Sequence, residues 1–136
     1  MNKSPNISAV LLSSKFSQLC YTSAMVLFLL IVVIGSLPGT RQDIAQLASG
    51  LVLHAGAYAS LGALIYFGSS GAAARRAVKA ALTIALLGAI DEYVQSFFPY
   101  RTAAVSDWLV DVAAGSVAAG VLWSAWPALT RQAVAD

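Results

Sequence analysis

Charge is scarce in this chain. Of 136 residues only 10% are Asp, Glu, Lys or Arg, and the net charge is +2, too small to mark a nucleic-acid partner. Cysteine is scarcer still: Cys20 stands alone, which excludes an intramolecular disulfide and a multi-cysteine metal site. It reads as a small apolar residue near the inner end of the first apolar run. A nucleophile motif, a phosphate-cradling loop and a strong metal triad are all missing. The length also leaves no room for a separate soluble module beside the apolar segments.

What is abundant is apolar surface. The chain is 59% hydrophobic with a mean hydropathy of +0.76, more than a soluble domain of this size can cover. The composition predicts one all-α domain, an integral membrane bundle of four transmembrane helices. A polar N-terminal tail covers residues 1–18, the bundle residues 19–127 and a C-terminal tail residues 128–136. The first span, 19–37, has no charged residue. A signal peptide is the competing reading, but the apolar core is too long and Gly35-Ser36-Leu37-Pro38 is a poor cleavage site. Pro38-Gly39 ends the span. A short connection with Arg41 and Asp43 follows, in which Ile44 and Leu47 suit the membrane interface. The remaining spans are 51–67, 78–98 and 107–126, the last two stopped by Pro99 and Pro127.

Orientation follows from the bases. With the N-terminus and C-terminus both cytoplasmic, Lys3, Lys15, Arg75, Arg76, Lys79 and Arg131 lie inside, and only Arg41 and Arg101 lie outside. Trp108, Tyr93 and Tyr100 then fit the outer aromatic belt, and Trp123 and Trp126 the inner one.

Four of the six acids fall within residues 89–115: Asp91, Glu92, Asp107 and Asp111. An ionisable group in a membrane span costs about 2.5–3.5 kcal/mol on insertion scales, so such groups are rarely incidental. Residues advance by about 100° along a helix, which puts Asp91, Glu92, Gln95, Gly88 and Ile84 in one arc of the third span. Leu82, Leu86, Ile90, Tyr93 and Phe97 fall on the opposite, lipid-facing side. On the fourth span Asp107, Asp111, Ala114 and Ala118 form a stripe with Gly115 at its edge. On the second, His54, Tyr58, Leu61 and Ile65 align. The acids are expected to point inward at one another, in the outer third of the bilayer. Asp107 suits the cap of the fourth helix. Arg101, the one base between the acid-bearing helices, is expected to pair with Asp107 or Glu92. A purely structural role is the weaker reading, because interhelical polar contacts contribute only about 0.6 kcal/mol on average.

His54 with Tyr58, then Asp91-Glu92-x-x-Gln95, then Pro99-Tyr100-Arg101, then Asp107 and Asp111, resembles the VanZ-like family of small bacterial multi-pass membrane proteins. The likeness covers about residues 51–120. The family commonly has glycine where Tyr100 stands and often asparagine at the position of Asp111. The resemblance implies a protein of the bacterial cytoplasmic (inner) membrane and, through the namesake proteins, a link to resistance to the glycopeptide teicoplanin.

Three functions compete on these residues. In the first, His54, Tyr58, Asp91, Glu92, Gln95, Arg101, Asp107 and Asp111 line an acidic pocket. It would bind a lipid headgroup, a lipid-linked cell-wall precursor, a glycopeptide or a cation, with membrane lipids as the other partners. In the second, a membrane enzyme acts on a lipid-linked substrate, with Asp91 or Glu92 as base, His54 as partner and Arg101 clamping a phosphate. The third, a coupled transporter, lacks polar groups in the inner halves of the spans. No cofactor is called for, although Asp91, Glu92, Asp111 and His54 are suitable ligands for a divalent cation.

Overall fold

The computed structural model describes residues 7–39, 50–101 and 103–130. The connection with Arg41, Asp43, Ile44 and Leu47, and the positions of Lys3 and Arg131, lie outside the described residues. The described residues form helices only: α1 (Ile7–Leu11), α2 (Ser14–Ser36), α3 (Gly50–Gly68), α4 (Ala73–Gln95) and α5 (Val105–Thr130).

Three of these, α2, α3 and α5, are long and apolar enough to cross a membrane. The fourth expected span, α4, matches α2 in length but carries Arg75, Arg76 and Lys79 near one end and Asp91 and Glu92 near the other. Composition alone therefore supports three crossings and does not establish the fourth.

The helix ends do not coincide with the ends of the apolar runs. Residues 7–18 belong to the polar N-terminal segment. They contain α1 and the first turn of α2, which starts where Ser13 Oγ accepts the Phe16 N–H at 3.2 Å. The basic residues before the expected third span are already inside α4, which begins just past Gly71, a left-handed glycine at φ 102°. At its other end α4 stops at Gln95, before Pro99, and a turn closes with Arg101 N–H donating to the Phe98 carbonyl. Pro127 does not end α5. It lies within the last turn, where a missing N–H removes one bond and the helix runs on to Thr130.

Buried positions repeat every four residues on each long helix: Cys20, Ala24 and Phe28 on α2; Tyr58, Gly62 and Tyr66 on α3; Arg76, Ala80, Ile84 and Gly88 on α4; Asp111, Gly115 and Ala119 on α5. These are the ridges that interlock when helices pack on their four-residue rows. The closest approach is Gly62 against Gly115, where an added Cβ would lie 2.5 Å from the Gly115 carbonyl oxygen. Glycine on both sides lets the two backbones come this near, as at close helix crossings in membranes. On α5 the buried stripe is therefore centred on Gly115. It is turned from the Ala114–Ala118 side that the sequence arcs favoured, because the glycine contact, not the acids alone, sets the facing side.

Pairwise contacts fix the directions. Gly62 and Gly115 touch, as do Tyr66 and Trp126 (centroids 5.6 Å apart), so α3 and α5 run the same way. Helix α4 lies antiparallel to α5 along its length: Arg76 stacks on Trp126 at 4.5 Å, Ile84 meets Gly115, and Trp108 Nε1 donates to the Ala85 carbonyl at 2.9 Å. The outward surface is largely apolar, with Leu82, Leu86, Val105, Val117 and Val121 all exposed, and its exposed charges, Lys15, Arg75 and Lys79, lie near helix starts. A water-soluble monomer does not present such a continuous apolar exterior. Inside, the core of Phe28, Tyr58, Leu61, Ile65, Ile84 and their neighbours fills the bundle on one side of the polar residues.

Candidate functional site

The polar residues gather where the start of α3, the end of α4 and the start of α5 meet. On α3, His54 and Tyr58 are one turn apart with parallel rings whose centroids are 6.3 Å from each other. Each engages a different carboxylate. His54 Nδ1 lies 2.9 Å from Asp111 Oδ1, and the Tyr58 hydroxyl donates to Asp91 Oδ2 at 3.2 Å. Asp111 and Tyr58 are fully buried and Asp91 is 1% exposed, whereas the His54 side chain keeps 18% of its surface open. The imidazole is thus the one member of the two pairs with a path outward.

Glu92 has a local duty that its sequence neighbourhood does not announce. Its Oε2 accepts the N–H of Ala104 at 2.7 Å. Ala104 is the residue whose carbonyl takes the first bonds of α5, from Asp107 and Trp108. A side chain from α4 thereby satisfies one of the orphan donors at the start of α5. Asp107, expected as the cap, lies instead inside the first turn, where its charge still suits the positive end of the helix.

Arg101 forms the outer edge of the group. Its Nη2 donates to Gln95 Oε1 at 2.6 Å, a neutral amide where a carboxylate was expected. The reason is positional: Glu92 is turned toward Ala104, and Gln95 lies one turn nearer the Pro99 bend. Gly35 of α2 lies beside this pair, and the Tyr100 hydroxyl donates to the Ser36 carbonyl at 2.7 Å. Tyr100, the departure from the family pattern, thus ties the turn to α2. Trp108, assigned from sequence to the outer aromatic belt, points at α4 instead, whereas Tyr93 is exposed.

Several buried polar atoms in this group have no hydrogen-bond partner: Asp91 Oδ1, Glu92 Oε1, Asp111 Oδ2 and Arg101 Nε. The Asp111 oxygen lies 3.6 Å from where a Cβ of residue 88 would stand, so Gly88 leaves room beside it. Among the described residues, no three His, Cys, Asp or Glu side chains come together so as to hold a metal ion. Of the eight residues singled out from the sequence, seven meet at one end of the bundle, as two side-chain pairs, one helix cap and one outer arginine–amide contact, and Asp107 lies in the first turn of α5 at the same end. The contributions that sequence reasoning missed, the Glu92 cap and the Trp108 clamp on Ala85, link residues of different helices and leave no local signature.

The arrangement can accept hydrogen bonds, through three acid side chains, and can move a proton through His54. No curated protein and no solved structure matches the chain. A protein-family model does, that of VanZ/LLP1, over residues 13–126, from the N-cap of α2 to the tryptophan under Arg76. The match takes in every residue of the polar group, and the chain belongs to the VanZ/LLP1 family of membrane proteins.

Proposed function

We propose that this protein crosses the bacterial cytoplasmic membrane four times with both termini inside, and that its polar group is an outward-facing acidic pocket for a lipid headgroup or a lipid-linked cell-wall precursor. The observation that carries this reading is the set of unmatched acceptors. Asp91, Glu92 and Asp111 are each buried, and each leaves one carboxylate oxygen without a partner. An unsatisfied buried polar group costs about 1–3 kcal/mol, and more when charged. Three at one end of one bundle are best explained by a ligand that brings donors to them.

The fourth crossing is supported by the partnership of α4 with α5. Contacts from Arg76 to Glu92 run alongside a helix that is itself long and apolar enough to span. At about 1.5 Å per residue, the 23 residues of α4 reach about 34 Å, the thickness of the hydrocarbon core with a turn to spare. Orientation rests on the excess of bases at one side, six against two. The link of the namesake proteins to teicoplanin resistance fits a ligand on the pathway that glycopeptides intercept.

A second reading, an enzyme acting on a lipid-linked substrate, is favoured by one observation. With Nδ1 held against Asp111, the other ring nitrogen of His54 is free to take a proton, and the side chain is accessible. The two readings separate in one experiment. Protein extracted in detergent should carry a lipid or lipid-linked precursor identifiable by mass, and Asp111→Asn should lose it. Identical lipid content with and without Asp111 would sink the binding reading. Turnover of the bound precursor that stops in His54→Gln would select the enzyme.

A further inference from the structure

We infer that the start of α4, at the end of the bundle away from the acids, binds a phosphate group supplied by an anionic phospholipid. This is a second site, and it does not depend on the ligand of the first. The residue that points to a ligand is Arg76. It is 8% exposed, its Nε donates to the Gly71 carbonyl at 2.9 Å, and its guanidinium carbon lies 4.5 Å from the centre of the Trp126 ring. Its two Nη atoms make no hydrogen bond to any described residue, and unlike Arg101 Nε they are not sealed from the outside. A guanidinium carries five N–H donors, and only the one on Nε is used here. A permanent charge so deeply placed, with its fork of donors idle, calls for a charged acceptor.

The same turn holds further donors. Ala72, the residue before α4, makes no side-chain cap, so the first N–H groups of the helix, from Ala73 to Arg75, have no helical partner. They form the positive end of the helix, which favours an anion. Arg75 folds back over Gly71: its Nη1 lies 3.8 Å from where a Cβ of residue 71 would stand. Both guanidinium groups thus adjoin one residue, and bond lengths limit the distance from Arg75 Nη1 to Arg76 Nε to about 10 Å. A phosphate bonded through two oxygens spans about 8 Å between its donors, so the exposed Arg75 has at most a short swing to make. A carboxylate is filled by one fork, whereas a phosphate keeps oxygens for the helix N–H groups. Among the described residues the acids are Asp91, Glu92, Asp107 and Asp111, all toward the other end, and Lys79 adds a base one turn past Arg75. A zwitterionic headgroup would bring an ammonium into this positive field, and an anionic one would not. The lipid source is favoured by the face of α4 that Arg75 occupies. Counted from Arg75, Leu82 and Leu86 lie at about −20° and +20° and Lys79 at about +40°. Both leucines are exposed, so an apolar lane for an acyl chain runs along the helix from Arg75.

The test is lipid binding to the detergent-purified full chain, measured by native mass spectrometry. Phosphatidylglycerol and phosphatidylcholine of matched chains are compared, with inorganic phosphate as competitor. Phosphatidylglycerol should bind roughly fivefold or more tightly, the effect of about one base acting on an anionic headgroup. Arg75→Gln should weaken phosphatidylglycerol by roughly fivefold, and Arg76→Gln by more. Arg76→Lys keeps the charge and loses the planar fork, so its binding should lie nearer to that of Arg76→Gln than to that of the unaltered protein. Displacement of the lipid by inorganic phosphate would show that the phosphate suffices; lipid binding without displacement would show that the chains are needed too. Either supports the assignment. Equal binding of the two lipids overturns it. So does a phosphatidylglycerol preference left intact in Arg75→Gln or in Arg76→Lys, since the basic end would then act as diffuse surface charge. Arg75 is exposed, so its variant and the ranking on the unaltered protein decide the matter even if the Arg76 variants fail to fold.

Discussion

Asp91 illustrates the tension in every acid of this bundle. It is buried against Tyr58, which offers one hydrogen bond to a group with two oxygens. Replacing it by asparagine keeps an acceptor for the Tyr58 hydroxyl and removes the charge. Asp91→Asn should therefore stay within about 3 °C of the wild-type melting midpoint in detergent, or rise above it, while ligand binding is lost. Asp91→Ala should cost about 2 kcal/mol, because it leaves the Tyr58 hydroxyl unpaired and a hole beside it. A fall in the asparagine variant as large as that in the alanine variant would mean that the charge itself holds the helices together. The faces of these residues were legible in the sequence, since Asp91, Gln95, Gly88 and Ile84 follow the helical period and are all buried. Their partners were not. The pairing of His54 with Asp111 bridges 57 residues and follows from helix packing, which no local pattern encodes. Arg101 shows the same limit: its charge predicted a carboxylate, and the turn at Pro99 delivers it to Gln95.

Among the elements, α3 and α5 depend on one close crossing. A Cβ at Gly62 would meet the Gly115 backbone at 2.5 to 3.0 Å, and backbone cannot rotate aside as a side chain can. Gly62→Ala should therefore push the helices apart and lower stability by about 1–3 kcal/mol. Gly115→Ala meets Ile84 carbons at 2.8 Å, a side chain with some freedom to move, and should cost less. At Gly120 nothing lies within 4 Å, so Gly120→Ala should be neutral or gain up to about 1 kcal/mol from helix propensity. Melting midpoints of the three variants check the order. If Gly62→Ala behaved like Gly120→Ala, the contact of α3 with α5 would be looser than its geometry implies. The long apolar runs made these helices legible, but their ends were not. Ser13 begins α2 ahead of the apolar run, and α5 tolerates Pro127 because only a final turn follows it. The same crossing explains the turned stripe on α5, which the spacing of the acids alone could not reveal.

For the whole molecule, the question is which side of the membrane the polar end faces. Helix α4 is decisive because it carries charge at both ends and an apolar middle. Its first turns hold Arg75, Arg76 and Lys79, and its last turns hold Asp91 and Glu92. Packed antiparallel to α5, it places Arg76 beside Trp126 and Glu92 beside Ala104. Bases are retained on the cytoplasmic side of short loops, so the Arg76 end should be inside and the Arg101 turn outside. Reporters active only outside the cytoplasm should then work when fused after Arg41 or Arg101, and stay silent after Arg76 or Arg131. If α4 did not cross, the positions after Arg76 and Arg101 would report the same side, which separates three spans from four. The reverse pattern, active after Arg76 and silent after Arg101, would carry Asp91, Asp111 and His54 to the cytoplasmic face. A ligand drawn from the outer leaflet would then be excluded, and any precursor bound there would have to be one met before export.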